Sequence, residues 1–251
     1  MSHFSLAVFT EKGQTVDELL EPFDENLVVD EYISKTKEQI IEKEKQWKKK
    51  ILNRIKEDRN YKLTSWEKEI LECITDEDFY LSGVHKDSKY DENGNELSTY
   101  NPNSKWDYYL IGGRWNNLLK NKSGKNINSC LVSDLDLSIN EEEYKKSIRF
   151  WELIVEEKPL KEGEVNPRNP FKKEYYIERY ETKENFAIQC NTLPIYAVLT
   201  PDGEWYEPGQ MGWFGFSSAG LEEEKKWDKM RRKLLKEANK DWTITIVDCH
   251  I

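Results

Sequence analysis

Three histidines occur in 251 residues, and two of them, His3 and His250, stand at opposite ends of the chain. Imidazole is the side chain whose ordinary titration lies nearest neutrality, so a pair can divide the work of general base and general acid. Asp248 lies two residues before His250, on the same face of any strand that carries both. If the two terminal segments pair as antiparallel strands, the start of one meets the end of the other, and His3, His250 and Asp248 share one edge of a sheet. Such a set suits phosphodiester cleavage; with a further carboxylate it could also hold a divalent metal ion. The plainer alternative is two histidines at the solvated ends of strands. His85, in a polar stretch, carries little signal.

A second constellation is Ile111-Gly112-Gly113-Arg114-Trp115. Paired glycines permit close backbone approach, and an arginine beside them can grip a phosphate or carboxylate through two parallel hydrogen bonds. Trp106, Trp115, Trp205 and Trp213 all stand near Gly, Pro or Asp, where they could stack on a nucleobase. Against this, tryptophans also close cores beneath glycine-rich turns. The block is neither a Walker motif nor a GxGxxG or GxSxG signature.

The elements that must position these residues follow from periodicity. Residues 2–10 read as a strand, with Phe4, Leu6 and Val8 on one face and Ala7 and Phe9 on the other, so both faces are covered. Thr15 and Glu18 form a capping box for a short helix. From about Asp30 to Arg59, Ile33, Ile40, Trp47, Ile51 and Ile55 recur at helical steps, and Thr64-x-x-Glu67 caps a second helix. Together residues 30–75 read as a helical hairpin inserted into one α+β domain spanning 1–251. Asn93-Gly94 marks a hairpin turn between two short extended runs. A short strand is expected at 129–132 and a helix from the N-cap Asn140 to Val155. Segment 158–185 has little periodicity and reads as a mobile loop. Residues 195–199 form a strand, a helix runs from about Gly220 to Asn239, and β-branched residues make 242–251 the last strand. The fold class expected is α+β, with an antiparallel, elaborated ferredoxin-like sheet whose first and last strands are adjacent.

Composition bounds the partners. With 48 acidic against 38 basic residues the net charge is -10, which opposes a broad nucleic-acid surface while leaving room for a local basic pocket. Nine Trp, thirteen Tyr and nine Phe supply the apolar area that a disordered chain lacks. No stretch approaches the roughly twenty apolar residues that span a bilayer, and the first residues do not read as a signal peptide. Cys73, Cys130, Cys190 and Cys249 are widely spaced, which argues against a zinc knuckle or a disulfide framework and for reduced thiols in a cytoplasm.

Four blocks, SHFSLAV at 2–8, SKWDYYLIGGRW at 104–115, LTPDGEW at 199–205 with GWFG at 212–215, and the terminal VDCHI, together resemble a group of bacteriophage and prophage proteins. The resemblance implies a phage setting in a host cytoplasm, where small accessory proteins counter host defence, and it brings no reaction with it. Two functions are then open. One is a protein that binds, and as a phosphodiesterase-type hydrolase cleaves, a nucleotide or cyclic nucleotide: Arg114 on phosphate, Trp115 and Trp213 on bases, His3 and His250 as acid and base. The other is a non-catalytic acidic inhibitor that docks on a host defence protein. No cofactor is required by either reading, a divalent metal being the one candidate, and a C2 homodimer is compatible with both.

Overall fold

A computed structural model describes residues 2–212 and 216–251. In chain order the elements are β1 (His3–Thr10), α1 (Val16–Leu20), β2 (Val28–Lys35), α2 (Lys37–Glu57), α3 (Ser65–Glu72), α4 (Asp76–Gly83), β3 (Lys89–Tyr90) and β4 (Glu96–Tyr100). They continue with β5 (Tyr108–Ile111), β6 (Leu119–Lys120), β7 (Asn126–Ile127), β8 (Ser129–Leu131), α5 (Glu141–Ile154), α6 (Lys173–Tyr180) and α7 (Lys183–Cys190). The last are β9 (Ala197–Leu199), β10 (Trp205–Tyr206), α8 (Leu221–Glu237) and β11 (Thr243–His250). The class is α+β. The chain divides into two compact units, Met1–Glu25 with Asn103–Ile251, and Asn26–Pro102. Among the described residues, no helix is long and apolar enough to cross a membrane.

The first unit is built on a sheet of order β10-β9-β1-β11-β5, with β8 also pairing β11. First and last strands are neighbours: β1 and β11 run antiparallel over eight residue pairs, from His3 opposite His250 to Thr10 opposite Thr243. The antiparallel expectation holds for most of the pairings, while β9 joins the other side of β1 in parallel, Leu6 opposite Ala197, so the sheet is mixed and its order does not reproduce the ferredoxin-like arrangement. That mixed arrangement explains why β1 is apolar on both faces. Ala7, Phe9, Ile244 and Ile246 face one core, closed by Trp227, Leu235 and Ala238 of and just after α8. Phe4, Leu6, Val8, Val247 and Cys249 face a second core, closed by Leu20 and Trp106.

The second unit holds the three-stranded sheet β2-β4-β3 and helices α2, α3 and α4. The insertion expected at 30–75 is helical only from Lys37: residues 28–35 form β2, paired with β4. Val28, Val29, Tyr32 and Ile33 favour extended backbone there, and Thr36 starts α2 with a capping box to Gln39. Thr64 and Thr75 open α3 and α4 in the same way. The Asn93-Gly94 turn joins β3 to β4, with the Asp91 carboxylate accepting the N–H groups of Asn93 and Asn95.

Segment 158–185, expected to be loop, contains α6 and the start of α7. An aromatic cluster of Tyr176, Phe186 and Trp151 holds both helices. Its members come from three separated stretches, so no local periodicity announces it.

Two stability outcomes follow from burial. Ile246 is fully buried, so Ile246→Ala should cost ~2–5 kcal/mol in urea denaturation of the intact chain. In the second unit, Glu44 is buried with its Oε2 unpartnered among the described residues, and burial raises its carboxyl above the ordinary value. A raised carboxyl loses stability as pH rises from the unfolded value through the folded one. Glu44→Gln should therefore raise the melting temperature at pH 7 and have little effect below pH ~4, where both states are protonated.

Candidate functional site

The alternation of β1, β11 and β5 places six side chains on one face at one end of the sheet. His3 lies opposite His250 and Ser5 opposite Asp248. On the other side of β11, Tyr108 is opposite His250 and Leu110 opposite Asp248. The same face continues into the Ala7–Ile246 core, so a polar end is joined directly to an apolar one. Asp248 and His250 are each only 3% exposed.

Each histidine has its own carboxylate. His3 Nδ1 lies 2.8 Å from Asp248 Oδ1. His250 Nδ1 is bonded to Asp107 Oδ1. A carboxylate can only accept, so in the neutral imidazole the proton sits on Nδ1 and the lone pair is left on Nε2. The two rings meet edge to face with centroids 4.9 Å apart. Tyr108 stacks on His250 at 4.4 Å and meets His3 edge to face at 6.3 Å. His250 Nε2 is buried and has no hydrogen-bond partner among the described residues. A buried nitrogen with a free lone pair is costly unless it is used.

The Gly-Gly-Arg block acts through its backbone. Gly112 and Gly113 have φ of 77° and 48°, the left-handed region that side chains avoid. A Cβ on Gly113 would lie 2.3 Å from Asp248 Oδ2. That closeness lets the Arg114 N–H reach Asp248 Oδ2 at 2.8 Å. Both carboxylate oxygens of Asp248 are thereby satisfied, one by an imidazole and one by the main chain, which is how a buried aspartate becomes tolerable. The Arg114 guanidinium is exposed and makes no ion pair among the described residues.

The tryptophans divide differently from the expectation of a stacking pocket. Trp106 is buried and donates its indole N–H to the Leu20 carbonyl at 3.2 Å. Trp115 packs against the first core. Trp205 packs on Phe23, centroids 4.8 Å apart, and donates to Glu207 Oε2 at 2.9 Å. All three close the two cores. Trp213 lies outside the described residues.

The sequence alone does not single out Asp107, which precedes the Tyr-Tyr-Leu-Ile strand; the pairing of that strand with β11, which brings Asp107 to His250, is not visible in one chain read linearly. Cys249, between Asp248 and His250, points into the opposite core, and burial pushes its thiol well above the usual range, which suits packing and not nucleophilic work. His85 is exposed in the second unit. Among the described residues, no group of three or more His, Cys, Asp or Glu is arranged to hold a metal ion.

Comparisons with protein-family models, curated proteins and solved structures find no match. The site therefore has to be read from its own chemistry. Two imidazoles in contact, each oriented at Nδ1, can exchange a proton with a substrate at Nε2 in either direction.

The glycine's role is open to a direct check. Gly113→Ala should lower stability by more than the ~1 kcal/mol that left-handed backbone alone costs a side chain, because the added methyl meets the Asp248 carboxylate. Urea denaturation reads the loss. A change within ~0.5 kcal/mol, as at an ordinary surface position, would mean that the carboxylate has room to move.

Proposed function

We propose that the protein binds a nucleotide or cyclic nucleotide and hydrolyses its phosphodiester with His3 and His250 as the acid–base pair. The observation that carries this reading is the contact of two imidazoles, each fixed at Nδ1 by a separate carboxylate, Asp248 and Asp107. One Nε2 takes the proton of the attacking water as its oxygen bonds to phosphorus. The other imidazole, protonated, gives its proton to the sugar oxygen as the P–O bond to it breaks. The aspartates remain ionised, holding the rings and favouring the imidazolium that forms. Since Tyr108 covers His250, binding must open a path to the buried Nε2, and the exposed Tyr108 at the sheet edge is the group able to move. Arg114, exposed and without an ion pair among the described residues, supplies a cation for the phosphate.

The phage setting and an anti-defence role rest on the resemblance of the four sequence blocks alone. A second reading, docking on a host defence protein, draws on the second unit, where Val28, Ile74 and Leu81 are exposed.

Purified protein incubated with nucleotides, cyclic dinucleotides and cyclic oligonucleotides, with and without EDTA, tests the reading by chromatography. Turnover should fall ~10²–10⁴-fold in His3→Ala and His250→Ala, with circular dichroism unchanged. Asp107→Asn should lower it as well, by leaving the His250 ring in the wrong tautomer. Retention of ligand without product would leave a binder only. If nothing is cleaved or retained, the nucleotide reading fails and the docking reading gains.

A further inference from the structure

Four cations gather around one cavity away from the histidines, between α6, α7 and α8. Arg179, Lys225, Lys229 and Arg232 line it with Tyr180, Gln189 and two carboxylates, Glu181 and Asp228. Its volume is about 50 Å3, room for one or two waters at ~30 Å3 each or for one compact anion.

The carboxylates are already committed. Asp228, 7% exposed, receives Arg179 on Oδ2, and on Oδ1 Gln189 at 2.6 Å and Arg231 at 3.4 Å. Glu181 pairs with Lys225 at 3.4 Å, and Lys225 also reaches Glu222 at 3.2 Å. Arg179 has a second partner in Glu224 at 3.2 Å. Lys229 and Arg232 are left without a carboxylate among the described residues. The Arg232 guanidinium makes one hydrogen bond, to Gln189 Oε1 at 2.8 Å, although it carries five donors. Gln189 thus gives its amide N–H to Asp228 and receives Arg232, which holds that guanidinium at the cavity wall.

The charge excess is felt by the neighbouring Arg231. Its guanidinium is buried, with Nε unpartnered among the described residues. Burial holds it below its ordinary value, and repulsion from Arg232 and Arg179 adds to that against the attraction of Asp228. In a chain of net charge -10, two cations with no carboxylate partner among the described residues, facing one small cavity, are the complement of a tetrahedral oxyanion.

We propose that this cleft binds a phosphate dianion, either free or as the terminal group of a phosphate monoester, with Arg232 and Lys229 as its principal ligands and Lys225 at the rim. Arg232 offers a planar pair of N–H donors to two phosphate oxygens, and Lys229 a mobile point charge to a third. The site is separate from the His3–His250 pair and stands whether or not that pair is catalytic.

The test is calorimetric titration of the whole protein at low ionic strength with inorganic phosphate, with adenosine monophosphate and with adenosine. One equivalent of phosphate and of the monophosphate should bind saturably, and adenosine should not. A tighter monophosphate would assign the site to a phosphorylated ligand; equal affinities would assign it to phosphate itself. Lys229→Gln and Arg232→Gln should each weaken binding about tenfold. Lys229 is exposed, so its replacement leaves the fold in place, and melting curves check Arg232→Gln. The exposed-charge control Lys145→Gln should bind as the wild type does. The proposal is overturned if neither phosphate nor monophosphate saturates, if His250→Ala loses the binding while Lys229→Gln keeps it, or if Lys145→Gln weakens it equally.

Discussion

The eight-pair ladder between β1 and β11 governs the first unit. It joins the two ends of the sequence, sets the register that brings His3 against His250, and divides the inward side chains between two cores. Because strand side chains alternate, a slip of one residue would turn Ala7 and Phe9 out of one core and Leu6 and Val8 out of the other. With both faces buried, such a slip would exchange residues between two cores of different shape and carry the polar His3 and Ser5 to the other face, so the alignment is held by packing along the whole strand. The histidines inherit their placement from hydrophobic side chains that never touch them.

What the ladder cannot do alone is make a buried aspartate tolerable. Asp248 replaces an apolar residue in the alternation, and its charge is compensated by His3 on one oxygen and by the Arg114 N–H on the other. The second contact needs backbone closer than any Cβ allows, which is the physical requirement for glycine at 113. The Gly-Gly-Arg block and the terminal Asp-Cys-His block, far apart in sequence, are thus two halves of one arrangement. The same logic applies to His250, where Asp107 is brought in by the strand that Tyr108 begins.

How much of this was legible follows from how local each determinant is. The strands at both ends, the capping boxes at Thr15 and Thr64, the Asn-Gly turn and the helices beginning near 141 and 221 are set by residues within a turn or two, and the structure places them there. Adjacency of the first and last strands was inferred through the histidines and is found. The parallel strand β9, the strand β2 where helix was expected, and α6 within an apparent loop all depend on partners tens of residues away. The backbone of Gly113 and Arg114 also holds Asp248, a role that no local pattern announces. The tryptophans near turns were singled out for stacking, yet Trp106, Trp115 and Trp205 fill the cores.

A continuous set of bonds runs between the cationic cleft and the histidine face. Asp228 bonds Arg231, and Arg231 Nη1 donates to the Ile195 carbonyl at 2.7 Å. The neighbouring Tyr196 N–H reaches the Ser5 carbonyl at 2.9 Å, and the Ser5 hydroxyl donates to the Pro194 carbonyl at 2.8 Å. Ser5 stands opposite Asp248. Arg231 is the cationic link in this chain and also feels the charge of Arg232 and Arg179 of the cleft. The strand carrying His3 is thus braced, through the 194–196 segment, by a buried guanidinium held between the Asp228 carboxylate and the Ile195 carbonyl.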